Sequence, residues 1–215
     1  MTRWAFLSDI HGNRRALDQA ANLARDRGVD RYVCLGDVIG RGDPDGCVEW
    51  VRDNADLAIV GNRDLDYLTR VPPALQHSVR GWANEIAASD FIASHGEPRL
   101  HRTLNSAAER DGFRRARAYV EERAARVWFF GHTHRARVWR LTGDEPRLLD
   151  DATVDLDSAS IYVVNVGTTG LPLPGRGPAS FVVYDDVARR LERVLLGTDA
   201  IVRRPHPVGS APRHV

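Results

Sequence analysis

Residues 8–13 read SDIHGN, and this stretch comes directly after the apolar run Trp4-Ala5-Phe6-Leu7. A short apolar run that ends in a cluster of Asp, His, Asn and Gly is typical of a buried strand followed by a loop. A helical pattern then begins, with Gly28 placed as a helix C-terminal glycine. Its apolar face consists of Ala16, Leu17, Ala20, Leu23 and Ala24. The beginning of the chain therefore predicts a strand, a polar loop and a helix.

The same pattern of apolar run and polar cluster recurs four times further along the chain. After the runs at 32–35, 57–60, 91–93 and 127–130 come, in order, Gly36-Asp37, GNRD at 61–64, Ser94-His95-Gly96 and GHTH at 131–134. Further helices are predicted over 44–54 and 112–126, and later strands over 136–141, 161–166, 180–185 and 191–196. Strands alternating with helices, followed by a strand-rich half, predict an α/β protein with two sheets packed face to face and helices outside. In α/β folds the loops at the carboxyl ends of the strands bring distant residues together.

Length and composition indicate a single globular domain. The 215 residues predict one domain over 1–202, followed by an irregular tail over 203–215 that contains Pro205, Pro207 and Pro212. The net charge is only +1, so the chain carries no strong nucleic-acid signal. All 30 basic residues are arginines, so any cationic phosphate contact would come from a guanidinium. Cys34 and Cys47 lack the spacing of a disulfide framework or a zinc site. No apolar run approaches the ~20 residues of a membrane span, and no signal peptide is evident, so we expect a cytoplasmic protein.

The polar clusters together supply seven candidate metal ligands. The set combines oxygen and imidazole donors without a thiolate, which favours manganese, iron or catalytic zinc over structural zinc. Seven ligands are too many for one ordinary site, but they could hold two metals if one carboxylate bridges them. Two metals ~3.5–4 Å apart suit the hydrolysis of phosphate esters, because they activate water and neutralise the phosphoryl oxygens. The seven residues are Asp9, His11, Asp37, Asn62, His95, His132 and His134.

In the order SDIHGN, LGD, GNRD, SHG and GHTH, these segments resemble the five motifs of the calcineurin-like metallophosphoesterases: DxH, GD, GNH(D/E), His-Gly and GHxH. The resemblance runs from residue 3 to about 185. The segments GRGDP at 40–44 and NVGTTGLPLPGRGPASFVVYD at 165–185 are similar to the small bacterial phosphoesterase and phosphodiesterase branch. The resemblance implies a four-layer α-β-β-α sandwich of two mixed sheets with a dinuclear site at the sheet edge. It also implies hydrolysis of phosphomonoesters or phosphodiesters by attack of a metal-bound hydroxide.

The resemblance also implies how the ligands divide between the two metals. Asp9, His11, Asp37 and His134 would hold the first metal. Asp37 would bridge to the second, whose other ligands would be Asn62, His95 and His132. We expect two divalent ions, with Mn²⁺ favoured and Fe, Zn or Ni as alternatives. The substrate would be a small phosphate ester, with nucleotides among the candidates; Asn13, at a helix start that favours anions, and Arg41 are candidate contacts.

One residue departs from the family pattern. Arg63 stands where GNH(D/E) has a histidine that protonates the leaving group or steadies the phosphate, and Asp64 would orient that histidine. Arg63 keeps a positive charge and can bind phosphate through its fork, but it cannot release a proton near neutral pH. Some members of the phosphodiesterase branch also lack this histidine. We therefore expect an active enzyme with altered preference, whose catalytic set is Asn62, Arg63 and Asp64.

Several alternatives remain open from the sequence. Asp64 could instead form an ion pair with Arg63 or another arginine. His101 could replace the missing proton donor or could be an exposed loop histidine. The helical stretch with Arg114, Arg115 and Arg117 favours a solvated face over a nucleic-acid contact. The alternative function is a non-catalytic or weakly catalytic interaction scaffold on the same fold, and the completeness of the seven ligands favours the enzyme. The sequence carries no signal for the oligomeric state.

Overall fold

The computed structural model describes residues 2–88, 90–96, 110–143 and 145–197, and two six-stranded mixed sheets form the centre of this part of the chain. In spatial order, sheet I contains β3 (Leu57–Ala58), β2 (Arg31–Cys34), β1 (Arg3–Leu7), β11 (Ser180–Asp185), β12 (Arg190–Leu195) and β9 (Thr153–Asp155). Sheet II contains β4 (Glu85–Ala87), β5 (Phe91–Ser94), β6 (Val127–Phe130), β10 (Ile161–Asn165), β7 (Arg137–Thr142) and β8 (Glu145–Leu149). Within the sheets, β1 and β2 are parallel, as are β5, β6 and β10.

Helices cover the outer faces of the two sheets. The helices are α1 (Arg14–Arg25), α2 (Pro44–Asn54), α3 (Asn62–Asp66), α4 (Pro73–Arg80) and α5 (Arg110–Glu121). Buried residues of α1, α2 and α4 form one apolar cluster with sheet I, and α5 forms another with sheet II. A third cluster fills the space between the sheets. Three apolar layers separate four structural layers, so the predicted α-β-β-α sandwich is confirmed.

The central strands β5, β6 and β10 are mostly apolar because both of their faces are buried. In β1, Ala5 and Leu7 pack against the helices while Phe6 points between the sheets. In β6, Phe129 points between the sheets while Trp128 packs toward α5. The rings of Phe6 and Phe129 stack with their centroids 3.7 Å apart. Alternation along each strand thus assigns one side chain to the helix layer and the next to the layer between the sheets.

Some element boundaries differ from the sequence predictions. The helix predicted over 112–126 ends at Glu121, and Ala124 takes a left-handed conformation with φ 54° that a continuing helix excludes. The apolar run at 57–60 yields only the two-residue β3, because Ile59 leaves the ladder to form an isolated bridge with Ala83. The strands β4, β8 and β9 and the helices α3 and α4 were not predicted. The predicted tail at 203–215 lies outside the described residues.

None of the helices in the described ranges is both long enough and apolar enough to cross a membrane.

Candidate metal centre

All seven predicted ligands lie in loops or at a helix start directly after strands β1, β2, β3, β5 and β6. Since β1, β2 and β3 are parallel in sheet I and β5 and β6 are parallel in sheet II, these strand ends meet at one edge of the sandwich. Backbone hydrogen bonds join the loops to one another. The amide of His11 donates to Asp37 O at 2.9 Å, and that of Gly131 donates to His95 O at 3.0 Å. The sheet topology therefore brings together ligands that lie as far apart in the sequence as Asp9 and His134.

The backbone at these strand ends is unusual. Among the described residues, seven that are not glycine have positive φ, and five of the seven are predicted ligands with φ between 52° and 66°. A left-handed conformation disfavours a residue with a Cβ, and such residues concentrate at functional sites where the surrounding structure maintains them. The five are Asp9, His11, Asp37, His132 and His134. The fold thus holds strained backbone at the positions that would present metal ligands.

The first predicted ligand group converges on a small volume. His134 Nε2 lies 3.1 Å from Asp9 Oδ1 and also 3.1 Å from His11 Nε2. His11 Nε2 lies 3.7 Å from Asp9 Oδ1 and 3.7 Å from Asp37 Oδ2. Donor atoms that share one ion at bond lengths of about 2.1 Å lie roughly 3 to 3.5 Å apart. Asp9, His11 and His134 are therefore spaced as three ligands of one cation would be, and Asp37 lies next to His11.

The second group lies on the other side of Asp37. Its Oδ1 is 3.5 Å from His95 Nε2, whereas its Oδ2 faces His11. His95 Nε2 is also 3.2 Å from Asn62 Oδ1 and 3.1 Å from His132 Nδ1. The two oxygens of Asp37 thus face different histidines, and Asp9, Asp37 and His95 also lie close enough together to form one ligand group. A carboxylate that bridges two ions would present its two oxygens in this way.

Asp9 indicates that the cluster suits a cation. Its carboxylate is completely buried; Oδ2 accepts bonds from Ser8 Oγ at 2.7 Å and from the His132 amide at 2.8 Å, but Oδ1 has no hydrogen-bond partner. Burial raises the pKa of Asp9, but the neighbouring rings of His11 and His134 outweigh it and hold the pKa well below its usual value. Asp9 is therefore a carboxylate whose free oxygen faces imidazole nitrogens, and a divalent metal would satisfy both.

Backbone carbonyls orient the histidine rings. His95 Nδ1 donates to Leu35 O at 2.7 Å, and His134 Nδ1 donates to Leu171 O at 2.6 Å. A neutral ring whose Nδ1 carries the proton can present an unprotonated Nε2 toward the cluster, as a metal ligand must. Burial and the nearby His95 lower the pKa of His132, which favours the neutral, ligating form of that ring.

The residues of the GNRD segment take different positions around the centre. The Arg63 amide donates to Asp37 Oδ1 at 2.7 Å, so the start of α3 braces the candidate bridging carboxylate. The Arg63 guanidinium points outward, with its side chain 48% exposed, and lies 3.2 Å from Asp66 and 5.7 Å from the ring centre of Tyr67. A phosphate contact from Arg63 would therefore require the side chain to leave Asp66.

Asp64 contacts backbone amides instead of Arg63. Its fully buried carboxylate accepts four N–H bonds of 2.7–2.9 Å, three of them from the loop after β2 and one from Gly61. Burial raises the pKa of Asp64 to about 6, while these N–H groups oppose the rise because they favour the carboxylate. The structure thus places Asp64 as a brace of the Asp37 loop. The ion pair with Arg63 considered above is not formed.

The other predicted contacts lie around the rim. Asn13 caps α1 by accepting from the Ala16 amide at 3.1 Å and donates to Gly170 O at 2.9 Å. Arg41 has an exposed side chain, and its backbone lies so close to Gly12 that no Cβ would fit there. His101 lies outside the described residues.

Several residues that support the centre were not among the predicted site residues. Ser8 bonds to Asp9, and Thr168 Oγ1 donates to the backbone oxygen of Asp9 at 2.8 Å. Asn165 donates to Gly131 O and to Thr133 Oγ1, which holds the GHTH loop against β10. Ser8 lies in the SDIHGN segment, and Asn165 and Thr168 lie in the segment at 165–185 quoted above. Their contacts with the site depend on the sheet topology, which sequence spacing does not reveal.

Comparisons with known proteins agree with this geometry. A family model described as the calcineurin-like phosphoesterase superfamily domain matches residues 3–188. A protein of Methanocaldococcus jannaschii described as uncharacterised is 28% identical over an alignment of 229 positions that covers 91% of this chain and 87% of that protein. The crystal structure of a metallophosphoesterase from Sphaerobacter thermophilus is similar with a TM-score of 0.74 at 24% identity, over 91% of this chain and 88% of that one. A structure described as a novel archaeal phosphodiesterase has a TM-score of 0.56 at 16% identity and covers 91% and 100%.

Proposed function

We propose that this chain, which belongs to the calcineurin-like phosphoesterase superfamily, hydrolyses phosphomonoesters or phosphodiesters with two divalent metal ions, Mn²⁺ being the favoured ion. The observation that carries the proposal is the position of Asp37, whose Oδ2 faces His11 and whose Oδ1 faces His95. A mixed oxygen and imidazole set suits manganese, with Fe, Zn or Ni as alternatives. The substrate would be a small phosphate ester.

The site residues would have distinct roles in binding the metal ions and the phosphate. A bound pair of divalent ions would supply Lewis acidity and a water of lowered pKa. Asp9, His11, Asp37 and His134 would hold one ion, and Asp37, Asn62, His95 and His132 the other. Asn62 would in addition donate its amide N–H to a phosphoryl oxygen. Arg63 would exchange its exposed contact with Asp66 for a bidentate contact to the phosphate, since exposed ion pairs contribute little.

Covalent catalysis by a thiol has no support in the described residues. Cys34 and Cys47 are buried, and burial raises the pKa of both thiols, that of Cys47 to about 12. Neither would be a thiolate near neutral pH. The hydrolysis would therefore proceed by direct attack of water on phosphorus, without an ester formed to the enzyme.

Turnover of two aryl esters tests the proposal. Mn²⁺-loaded protein is assayed with 4-nitrophenyl phosphate and bis(4-nitrophenyl) phosphate, with Asp37→Asn as the blank and Asp53→Asn, a change at an exposed carboxylate, as the matched control. We expect the native chain and the control to hydrolyse at least one ester and the blank to be silent. Bound metal, measured by elemental analysis, with neither ester hydrolysed would contradict the proposal and favour the interaction scaffold.

A further inference from the structure

A basic cleft lies beside the metal centre. It has a volume of about 300 Å³ and is formed by the segments at 135–137 and 175–178 together with the end of β12. Four guanidinium side chains line it, those of Arg135, Arg137, Arg176 and Arg193. We call these four residues and the space between them the arginine cleft.

The arginine cleft adjoins the candidate metal ligands. Arg135 directly follows His134, and Arg176 Nη1 donates to Thr133 O at 2.9 Å, between the two histidines of the GHTH loop. Leu195, at the end of β12, pairs with Ser180 at the start of β11, which is the edge of sheet I where β1 ends. The cleft and the metal centre therefore open at the same edge of the sandwich, and one extended ligand could occupy both.

The charge of the arginine cleft is largely uncompensated. Arg137 lies 3.8 Å from Asp150, a side chain that is 80% exposed. Within the part of the chain that the structure describes, the other three guanidinium groups have no carboxylate within 4.0 Å. They donate to backbone oxygens instead: Arg135 to Gly175 at 3.2 Å, Arg176 to Thr133, and Arg193 to Asp150 at 2.8 Å.

These contacts leave most of the donor capacity unused. A guanidinium carries five N–H groups, and each of the three arginines uses one of them in the contacts above. Arg135 Nε is moreover buried without a hydrogen-bond partner, which is costly for a charged donor. A small anion with several oxygens would satisfy such donors. The planar fork of arginine fits phosphate oxygens in pairs.

We propose that the arginine cleft is a subsite for a second phosphate group of the substrate. The inference rests on the proposed function for the group that is hydrolysed. It narrows the substrate to an ester with at least two phosphate groups, one hydrolysed at the metal centre and another bound by Arg135, Arg137, Arg176 and Arg193. Exposed Leu195 and neighbouring Pro178 in the cleft wall would contact the carbon skeleton that links the two phosphates.

A matched pair of substrates tests the subsite by kinetics. Thymidine 5′-(4-nitrophenyl phosphate) and its 3′-phosphorylated form share the scissile bond and differ by one phosphate group. We expect kcat/KM to be about 10-fold or more higher for the 3′-phosphorylated ester, since each hydrogen bond to a charged group contributes on that scale. Arg193→Gln, or Arg137→Gln as a second variant, should bring the ratio toward 1. Arg190→Gln, on the same strand but paired with Asp155, should leave the ratio high. Equal kcat/KM values in the native chain would overturn the proposal.

Binding of inorganic pyrophosphate separates this inference from the proposed function. Titration calorimetry with Asp37→Asn protein measures the binding of pyrophosphate to the arginine cleft in the absence of hydrolysis. We expect Arg193→Gln in that background to weaken pyrophosphate binding about 10-fold, and Arg190→Gln to leave it unchanged. If neither ester is hydrolysed but pyrophosphate binding depends on Arg193, the proposed function fails while the anion site stands. Binding that is insensitive to Arg193→Gln overturns the subsite.

Discussion

At the residue scale, Arg63 would determine the preference among esters in the proposed hydrolysis. Its guanidinium can stabilise negative charge on a phosphoryl group, but it cannot protonate a departing oxygen. General acid catalysis typically contributes ~10²–10⁴-fold, and its absence matters most for alkoxide leaving groups. Leaving groups that depart without a proton are therefore the ones this active site would favour.

We predict that the rate depends steeply on the leaving group. The native chain should hydrolyse aryl esters at least ~10²-fold faster than alkyl esters, because only the aryl oxyanion leaves readily without a proton. Arg63→His should narrow that gap by restoring a group that titrates near neutrality. The measurement is kcat for a series of esters plotted against the pKa of the leaving group, in both proteins.

Arg70→His provides the control for this series. Arg70 stacks on the same Tyr67 ring as Arg63, at 3.8 Å, but lies seven residues further along the chain. The control should keep the steep dependence of the native chain. A shallow dependence in the native chain would mean that another group supplies the proton.

At the scale of elements, the five-residue helix α3 holds the loop after β2 in place. Asp64, at the third position of α3, accepts the amides of Asp37, Val38 and Ile39. The close approach extends to the backbone, because a Cβ on Gly61 would collide with Asp37. A helix too short to be stable by itself is thus stabilised by the loop that it braces.

We predict that Asp64→Asn lowers the free energy of unfolding by about 3 kcal/mol. An asparagine would turn an NH₂ group toward amide donors and leave buried N–H groups unpaired, each of which is costly. Urea unfolding of the metal-free proteins measures the effect. Asp66→Asn, an exposed change in the same helix, should stay within about 0.5 kcal/mol of the native chain. Equal effects of the two changes would refute the bracing role of Asp64.

The connection between β9 and β10 depends on another aspartate. Asp157 accepts the amides of Ala159 and Ser160 and the hydroxyl of Tyr162, and its Oδ2 lies 2.7 Å from Arg140 Nη2. Burial raises the pKa of Asp157, but these hydrogen bonds outweigh it and set the pKa below the ordinary 3.8. A folded-state pKa below the unfolded value adds stability above pH 3.8, and that stability is lost as the pH falls through the folded value.

We predict that the destabilisation caused by Asp157→Asn depends on pH. The difference in free energy of unfolding between the native chain and the variant should be constant from about pH 5 to 7 and should shrink as the pH falls below about 4, since protonation removes the same charge as the mutation. Chemical unfolding at a series of pH values measures it. Asp151→Asn, at an exposed position nearby, should give a small difference that the pH does not change. If the difference in free energy of unfolding between the native chain and Asp157→Asn stayed constant down to pH 2, the protonation of Asp157 would not be linked to stability.

Much of this element structure could be predicted from the sequence. Strands β1, β2, β5, β6 and β10 are buried on both faces and read as short apolar runs, and α1 and α2 carry clear caps and apolar faces. The strands β4, β8 and β9 lie at sheet edges, and the helix α3 depends on tertiary contacts. The local sequence pattern therefore did not predict these four elements.

At the scale of the whole molecule, both sheets contribute residues to the candidate metal centre. Asp9, His11, Asp37 and Asn62 follow strands of sheet I, and His95, His132 and His134 follow strands of sheet II. Each proposed ion would bind ligands from both sheets. Such an ion binds only the folded chain, because the unfolded chain separates these residues by up to 125 positions.

We therefore predict that Mn²⁺ raises the stability of the whole molecule. At a free concentration of about 100 times its dissociation constant, the ion should add about 2.7 kcal/mol to the free energy of unfolding. EDTA should reverse the gain, and Asp37→Asn should abolish it. Thermal unfolding followed by calorimetry at several Mn²⁺ concentrations measures the effect. A midpoint that is independent of Mn²⁺ in the native chain would argue against binding at this centre.

The sequence motifs predicted the members of the site better than its surroundings. Asp9 and His134 lie 125 positions apart, yet the motif order placed both in one cluster, and the structure brings them to 3.1 Å. The outward direction of Arg63 and the contacts of Asp64 with backbone amides could not be predicted, because they depend on how α3 sits against the loop after β2. The arginine cleft escaped prediction for a similar reason, since it joins residues from β7, β12 and a loop.

The aromatic residues between the sheets can affect the candidate metal centre, although none of them is a predicted ligand. The stacked rings of Phe6 and Phe129 help to set the distance between the sheets, and interiors are too closely packed to absorb a change in volume without movement. Metal sites tolerate deviations of only about 0.2 Å in their bond lengths. A smaller side chain at either position would let the sheets settle closer and would change the span between the two halves of the centre. The hydrophobic core would thus influence metal affinity by setting the distance between the candidate ligands of the two sheets.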